Sequence, residues 1–474
     1  MLVFYRKIYT LFILLTLIFV LGLCFLKISE AEAVQVPSRR LFLAITVVDV
    51  VLYLYFYRRD NLCCFEFIFF FLYIISVFFQ ELIINNIVDD FNVTSVLGYS
   101  FNDRDSNVSI LVQSSGLLIF ILGAILGDKS VLCQKKKGVW RKPVNLSASV
   151  NILGVLTGVY IVFLYLTGTI RSWFQYSGGD ENYSNLDIVY LTSLFLPMTI
   201  LEFYRLSDIK CDNIMSLLRR INKIYLVEIL MIFLLLLVSG NRNESLLIIV
   251  PAVYSYSIFI NKITNTNFFT LLFVGALVMI LIGLTRQEGS SSDTIASSEV
   301  GLYESSRDFV FVDINTTYLI QYTDKEGPIY FKNGVLNIIS IVPFLGTIVK
   351  VAFDIDYDIR SPEVTTLGLQ NSVNMNTGLG TSLIGDLYYT AGFLFVILFM
   401  FFLGWLMSYL YKYFFICKGR NVWLLAVFLF NFSNSVYIIR AEWMMPFRYI
   451  GFTCIIMYLC FVLIPSKKVF DTLV

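Results

Sequence analysis

Seven arginines, Arg171, Arg242, Arg286, Arg307, Arg360, Arg440 and Arg448, fall on or near what charge bias makes the outer side of a membrane. Basic residues normally gather on the cytoplasmic side. An outward set therefore calls for an anionic partner at that surface. The guanidinium offers a planar fork of donors that matches two phosphate oxygens. Arg242, in SGNRNE, occupies a very short turn between two apolar runs. Arg286 leaves one run, Arg440 ends another and Arg448 opens the last. Side chains at helix ends are held in place, which suits bidentate phosphate binding; snorkelling to lipid headgroups is the competing use.

The carboxylates supply the other half of a possible chemistry. Asp386 opens an apolar run inside GLGTSLIGDLYYTAG (378–392), where Gly378, Gly380, Gly385 and Gly392 allow close packing. Asp308, Glu442 and Glu288 each lie close in sequence to an outward arginine. An acid beside an arginine stays ionised, fit for a general base or for a salt bridge. Asp49 lies mid-run, where a charge is expensive and points either to function or to a bundle hydrogen bond. Glu228, near the cytoplasmic edge of its run, reads as a snorkelling residue. Outward tyrosines such as Tyr183, Tyr303, Tyr318 and Tyr388 can stack on sugar rings or belong to an interfacial belt.

Other chemistries are excluded. The chain has no histidine, so a histidine base, a histidine metal ligand and a Ser-His-Asp triad are ruled out. Its eight cysteines form no CxxC pair and read as reduced, neither disulfides nor a zinc site. Neither a metal nor a cofactor is expected. A net charge of +1 gives no reason to expect a nucleic-acid partner.

The elements that must position these residues are membrane helices. The 474 residues are 58% hydrophobic and only 15% charged, against about 25% charged in a soluble domain. Apolar stretches of bilayer length fall near 8–26, 41–57, 62–80, 108–127, 147–169, 186–204, 224–240, 245–260, 267–285, 384–411, 421–439 and 447–464. The expected fold is all-α, a polytopic bundle of about twelve transmembrane helices. Arg6 and Lys7 before the first run resemble a signal-peptide start, but the run is long and another follows at once, so an uncleaved helix is expected.

Charge sorts the loops consistently. Arg58 and Arg59, the cluster Lys129 to Lys142, the cluster Arg205 to Lys223, Lys262, and Lys412 to Arg420 alternate with loops that are acidic or mixed. The basic set is cytoplasmic by the positive-inside rule, and both termini join it. Three regions result: helices one to nine over 1–285, a long extracytoplasmic loop over 286–380, and helices ten to twelve over 381–474. The loop carries twelve acids against six bases; a loop this long is usually functional. Within it, 335–352 is apolar but interrupted by Pro343 and Gly346, as expected of an interfacial or re-entrant segment. No internal repeat is evident.

This pattern resembles the Wzy-type O-antigen and capsular polysaccharide polymerases. The resemblance rests on about twelve spans, one long outward loop late in the chain, SGNRNE at a helix boundary, ESSRDF (304–309) in the loop, and GTSLIGDLYYTAG (380–392) at the start of a helix. The family spacing of arginine, ten residues and glycine occurs from Arg440 to Gly451. A second family pattern, histidine followed by Leu-Gly, is absent, so either a carboxylate takes the base role or the reaction needs no base.

The resemblance implies a GT-C-like fold in the bacterial cytoplasmic membrane. It also implies metal-independent glycosyl transfer between undecaprenyl-pyrophosphate-linked oligosaccharides, with membrane lipid and a chain-length regulator protein as further partners. Arginines that grip the leaving pyrophosphate more tightly as charge builds would lower the barrier, each charge-assisted contact contributing about 1.5–3 kcal/mol. Arg242, Arg286, Arg307 and Arg440 are the first assignments to the pyrophosphate, Arg171 and Arg360 the next. Asp386, Asp308 and Glu442 are the candidate bases. The competing class is a flippase of lipid-linked oligosaccharides, which should show repeated halves and charges along a central path. A membrane acyltransferase would want the missing histidine.

Overall fold

The computed structural model describes residues 6, 8–17, 36–58, 61–78, 103–131, 145–175, 186–207, 214–239, 242–287, 301–332, 339, 345, 360–362, 364–366, 368 and 380–464. Every regular element among them is helical. In chain order these are α1 (Ile8–Leu17), α2 (Val36–Tyr53), α3 (Phe65–Tyr73), α4 (Asp103–Ser130), α5 (Leu146–Leu166), α6 (Thr169–Gln175), α7 (Leu186–Leu206), α8 (Ile214–Arg220), α9 (Lys223–Val238), α10 (Arg242–Phe259), α11 (Asn265–Gln287), α12 (Gly301–Glu326), α13 (Leu383–Tyr411), α14 (Val422–Ser433) and α15 (Met445–Leu463). Among the described residues, four helical stretches are long and apolar enough to cross a membrane: Arg104–Ser130, Leu146–Leu166, Leu383–Ile416 and Met445–Leu463. The chain thus has the character of a membrane protein.

The chain divides into two compact units. The first comprises Met1–Val131, Ser291–Lys412 and Ser435–Met445, and its spine is the packing of α4 along α13. Glycine sets that approach. A Cβ on Gly123 would stand 2.1 Å from the Phe401 carbonyl oxygen, and one on Gly404 would stand 2.1 Å from that of Phe120. The two backbones therefore touch directly. At one end of this pair Arg58 is wholly buried, bonded to Glu66 at 2.7 Å, Asp128 at 3.3 Å and Ser408 at 2.6 Å. Its guanidinium carbon lies 4.7 Å from the Tyr411 ring centre. Lys412 donates to the Asp128 carbonyl in the same cluster. Arg58, expected in a solvent-facing loop, is instead drawn inside because two carboxylates and two aromatic faces compensate its burial.

The region 286–380, expected as a long extracytoplasmic loop, contains helix α12. Gly301–Glu326 is one helix that packs on α4, on α13 and on the π-turn Ile74–Phe78. Its interior face carries Asn315, Thr316, Thr317, Gln321 and Thr323, all buried, which hides it from a search for apolar runs. It is held by polar contacts as well as by buried Phe311, Ile314, Leu319 and Ile320: Gln113 donates to Asp313 at 2.9 Å and Thr316 to Ser382 at 2.7 Å. The segment 335–352 lies, apart from Ile339 and Leu345, outside the described residues.

The second unit comprises Leu132–Ser290, Tyr413–Asn434 and Pro446–Val474. Here α7 packs on α5, α10 and α14, and α9 packs on α5 and α10. Asparagines start three of these helices: Asn145 accepts from the Ala148 N–H, Asn222 from Ile224 and Tyr225, and Asn421 from Trp423 and Leu424. Such caps satisfy donors that a helix start leaves open. Cys417 is disulfide-bonded, against the expectation that all eight cysteines are reduced; its partner lies outside the described residues, and sequence spacing carries no sign of a pairing made only in three dimensions. Cys63, Cys64, Cys454 and Cys460 are free.

Candidate functional site

The site is built at the N-terminal end of α13. Ser382 caps the helix by accepting from the Gly385 N–H at 3.0 Å. Gly385 lets this turn lie against α12, for a Cβ there would meet Thr316 Cα at 3.1 Å and Leu319 Cδ1 at 2.8 Å. One turn in, the Asp386 carboxyl is fully buried. Its Oδ2 accepts the backbone N–H of Trp443 at 2.8 Å, and the Ser361 side chain hydrogen-bonds the same carboxyl. Ser361 in turn accepts from the Thr381 hydroxyl at 2.9 Å.

A second tie runs through Thr390. Its hydroxyl donates to the Asp386 carbonyl at 2.7 Å and accepts from the Trp443 indole N–H at 3.1 Å. The Trp443 ring lies edge-on among Phe331, Phe395 and Phe399, with centres 6.3, 5.1 and 5.8 Å away. Just beyond Thr390 the helix breaks: Ala391 and Gly392 leave helical geometry, Gly392 at φ +75° and ψ −170°. That region of backbone space is open essentially to glycine alone. The break frees carbonyls that a continuous helix would have occupied. Those of Tyr389 and Thr390 accept instead from the N–H groups of Ile329 and Phe331, at 3.1 and 3.4 Å.

The reactive-looking pair is Arg360 and Glu442. Arg360 Nε donates to Glu442 Oε1 at 2.9 Å. Their side chains are 33% and 12% exposed, so both remain open to a ligand in a way the Asp386 carboxyl is not. An anion-binding fork beside an ionised carboxylate can hold a phosphate and accept a proton. Three of the residues singled out in the sequence, Arg360, Asp386 and Glu442, thus meet, although 82 positions separate the first from the last.

The remaining assignments divide. Arg440 closes a 3-10 turn, Ile438–Arg440, that packs on α13 and α3, two residues before Glu442. Arg307 and Asp308 are helical within α12, Arg242 is the first residue of α10, and Arg286 lies in the last turn of α11; their side chains fall outside the described residues. Arg171 is exposed on α6, and Arg448 is partly exposed on α15. Arg171, Arg242, Arg286 and Arg448 belong to the second unit. Glu288 and Tyr183 lie outside the described residues, as does the Tyr303 side chain.

Two expectations are corrected outright. Glu228 does not snorkel: it is 8% exposed, and its carboxylate oxygens line the notch that Gly154 and Gly158 leave in α5, 3.4 and 3.3 Å from where Cβ atoms would stand. Tyr388 is not free to stack on a sugar, because its ring is buried and its hydroxyl donates to Asp324 at 3.0 Å. Asp49 is fully buried in α2, beside Tyr9, whose hydroxyl donates to the Asp49 carbonyl at 2.6 Å. Ser361, Thr381, Thr390 and Trp443 were not singled out from sequence. Thr381 and Thr390 lie within the stretch 380–392, whereas Ser361 and Trp443 fall outside any motif.

Comparison of the chain with protein-family models, with curated proteins and with solved structures finds no match in any of the three.

Proposed function

We propose that this protein is a polysaccharide polymerase of the bacterial cytoplasmic membrane, joining undecaprenyl-pyrophosphate-linked oligosaccharide repeat units at the outer face into O-antigen or capsular polysaccharide. The observation that carries this reading is the Arg360–Glu442 pair, partly open and set beside a buried, fully tethered Asp386. In the reaction a hydroxyl of the incoming repeat unit attacks the anomeric carbon of the growing chain. The new C–O bond forms as the anomeric carbon–oxygen bond to the diphosphate breaks. The electron pair leaves with the diphosphate lipid, and the hydroxyl proton passes to Glu442. Arg360 neutralises charge building on the leaving group, the kind of preorganised stabilisation that lowers such barriers most.

The proposed topology has about twelve spans, a GT-C-like arrangement and both termini in the cytoplasm. Its support is that Arg58, Asp128 and Lys412, placed on the inner side by charge, meet in one cluster. Outer-side Asp324 and Tyr388 meet in another.

Deleting the gene and resolving the surface glycan by gel tests the reading. Loss of a polymerase leaves single repeat units at the surface. A transporter of lipid-linked oligosaccharides is the second reading, favoured by one observation: Glu228 is buried against the α5 notch with Oε2 unsatisfied by any hydrogen bond, and acids inside membrane helices mark transport paths. Its loss leaves no repeat units at the surface at all.

A further inference from the structure

Asp386 was a candidate base in sequence, but its geometry serves another end. Among the groups it holds are Ser361 and the Trp443 N–H. Ser361 directly follows Arg360, and Trp443 directly follows Glu442. One buried carboxyl therefore clamps the two separate chain segments that carry the ion pair. The Trp443 indole bond to Thr390, one helical turn along, repeats the tie from the same face of α13. Arg360 directly precedes helical residues 361–362, and Glu442 follows a 3-10 turn.

We propose that Asp386 is a positioning residue, which sets the spacing between Arg360 as the diphosphate ligand and Glu442 as the proton acceptor by tethering the residue after each. This rests on the polymerase reading for what the pair does, but the spacing itself is testable without it.

The discriminating substitution is Asp386→Asn. Its carbonyl can still accept from Trp443 and its amide can donate to Ser361, so the clamp survives while the carboxylate is lost. Asp386→Ala removes both tethers, and Ser361→Ala removes one, together with the acceptor of the Thr381 hydroxyl. With undecaprenyl-pyrophosphate-linked repeat unit as substrate, Asp386→Asn is expected to keep kcat within a few-fold. Asp386→Ala is expected to lose about a hundredfold, the scale of an ångström-sized misplacement, and Ser361→Ala to fall between. The acid-limb pH dependence that Glu442→Gln abolishes should persist in all three.

A double-mutant cycle of Arg360→Ala and Glu442→Ala, read by thermal unfolding of the full chain, gives the coupling of the pair. That coupling is expected to be unchanged with Asn at 386 and reduced by Ser361→Ala. Should wild-type protein make no polymer, the polymerase reading falls and the cycle still decides the clamp. An Asp386→Asn variant as inactive as Asp386→Ala, or a coupling that Ser361→Ala leaves intact, overturns the proposal.

Discussion

At the scale of single residues, burial separates two of the three acids that sequence could not rank; the Asp308 side chain lies outside the described residues. Asp386, Asp308 and Glu442 all lie near outward arginines or glycine-rich turns, and nothing in their types distinguishes a base from a tether. Burial does: the Asp386 carboxyl is closed in, while the Glu442 side chain keeps 12% of its surface. Replacing Glu442 with Gln is accordingly expected to lower kcat by about a hundredfold or more, the usual contribution of general base catalysis, with little change in KM. Full activity in that variant would remove Glu442 from the chemistry. Arg360→Lys keeps the charge but loses the planar fork, and should weaken transition-state stabilisation by about 1.5–3 kcal/mol, measured as kcat/KM. The buried Arg58 makes a separate prediction about stability. Arg58→Ala leaves Glu66 charged and enclosed, and breaking one partner of a buried pair costs about 3–5 kcal/mol. A thermal unfolding midpoint unchanged by Arg58→Ala would show that the ion cluster contributes nothing.

At the scale of elements, backbone contact between α4 and α13 dominates the first unit. Gly123→Ala and Gly404→Ala each place a methyl against a backbone carbonyl, which cannot rotate away as a side chain can. Each is expected to destabilise by about 1–3 kcal/mol or more as overpacking; a neutral result in detergent unfolding would mean the helices stand further apart than described. Much of the helical framework was legible in sequence because apolar runs of bilayer length are hard to confuse with anything else. The run expected over 147–169 is the helix Leu146–Leu166, and that over 186–204 is Leu186–Leu206. What escaped was α12, whose buried face interleaves Phe311, Ile314, Leu319 and Ile320 with threonine, asparagine and glutamine, so hydropathy could not see it. The break at Ala391–Gly392 escaped too, because a glycine in an apolar run reads equally as packing or as a kink. The structure assigns Gly385 to packing and Gly392 to the kink.

At the scale of the whole molecule, Arg58, Asp128 and Lys412 cluster within the first unit, as do Asp324 and Tyr388. The site residues illustrate why the rest was not legible. Arg360, Asp386 and Glu442 come from three segments far apart in sequence, and only folding shows that one clamp serves the other two. The central claim is that this assembly transfers a glycan from a diphosphate lipid to a second lipid-linked unit. The most direct measurement is to reconstitute the purified full chain in lipid vesicles with undecaprenyl-pyrophosphate-linked repeat unit and resolve the lipid-borne products by length. A ladder of multimers that disappears with Glu442→Gln and shrinks with Arg360→Lys is the predicted result; folded protein that yields only single units, or a ladder indifferent to both substitutions, would contradict it.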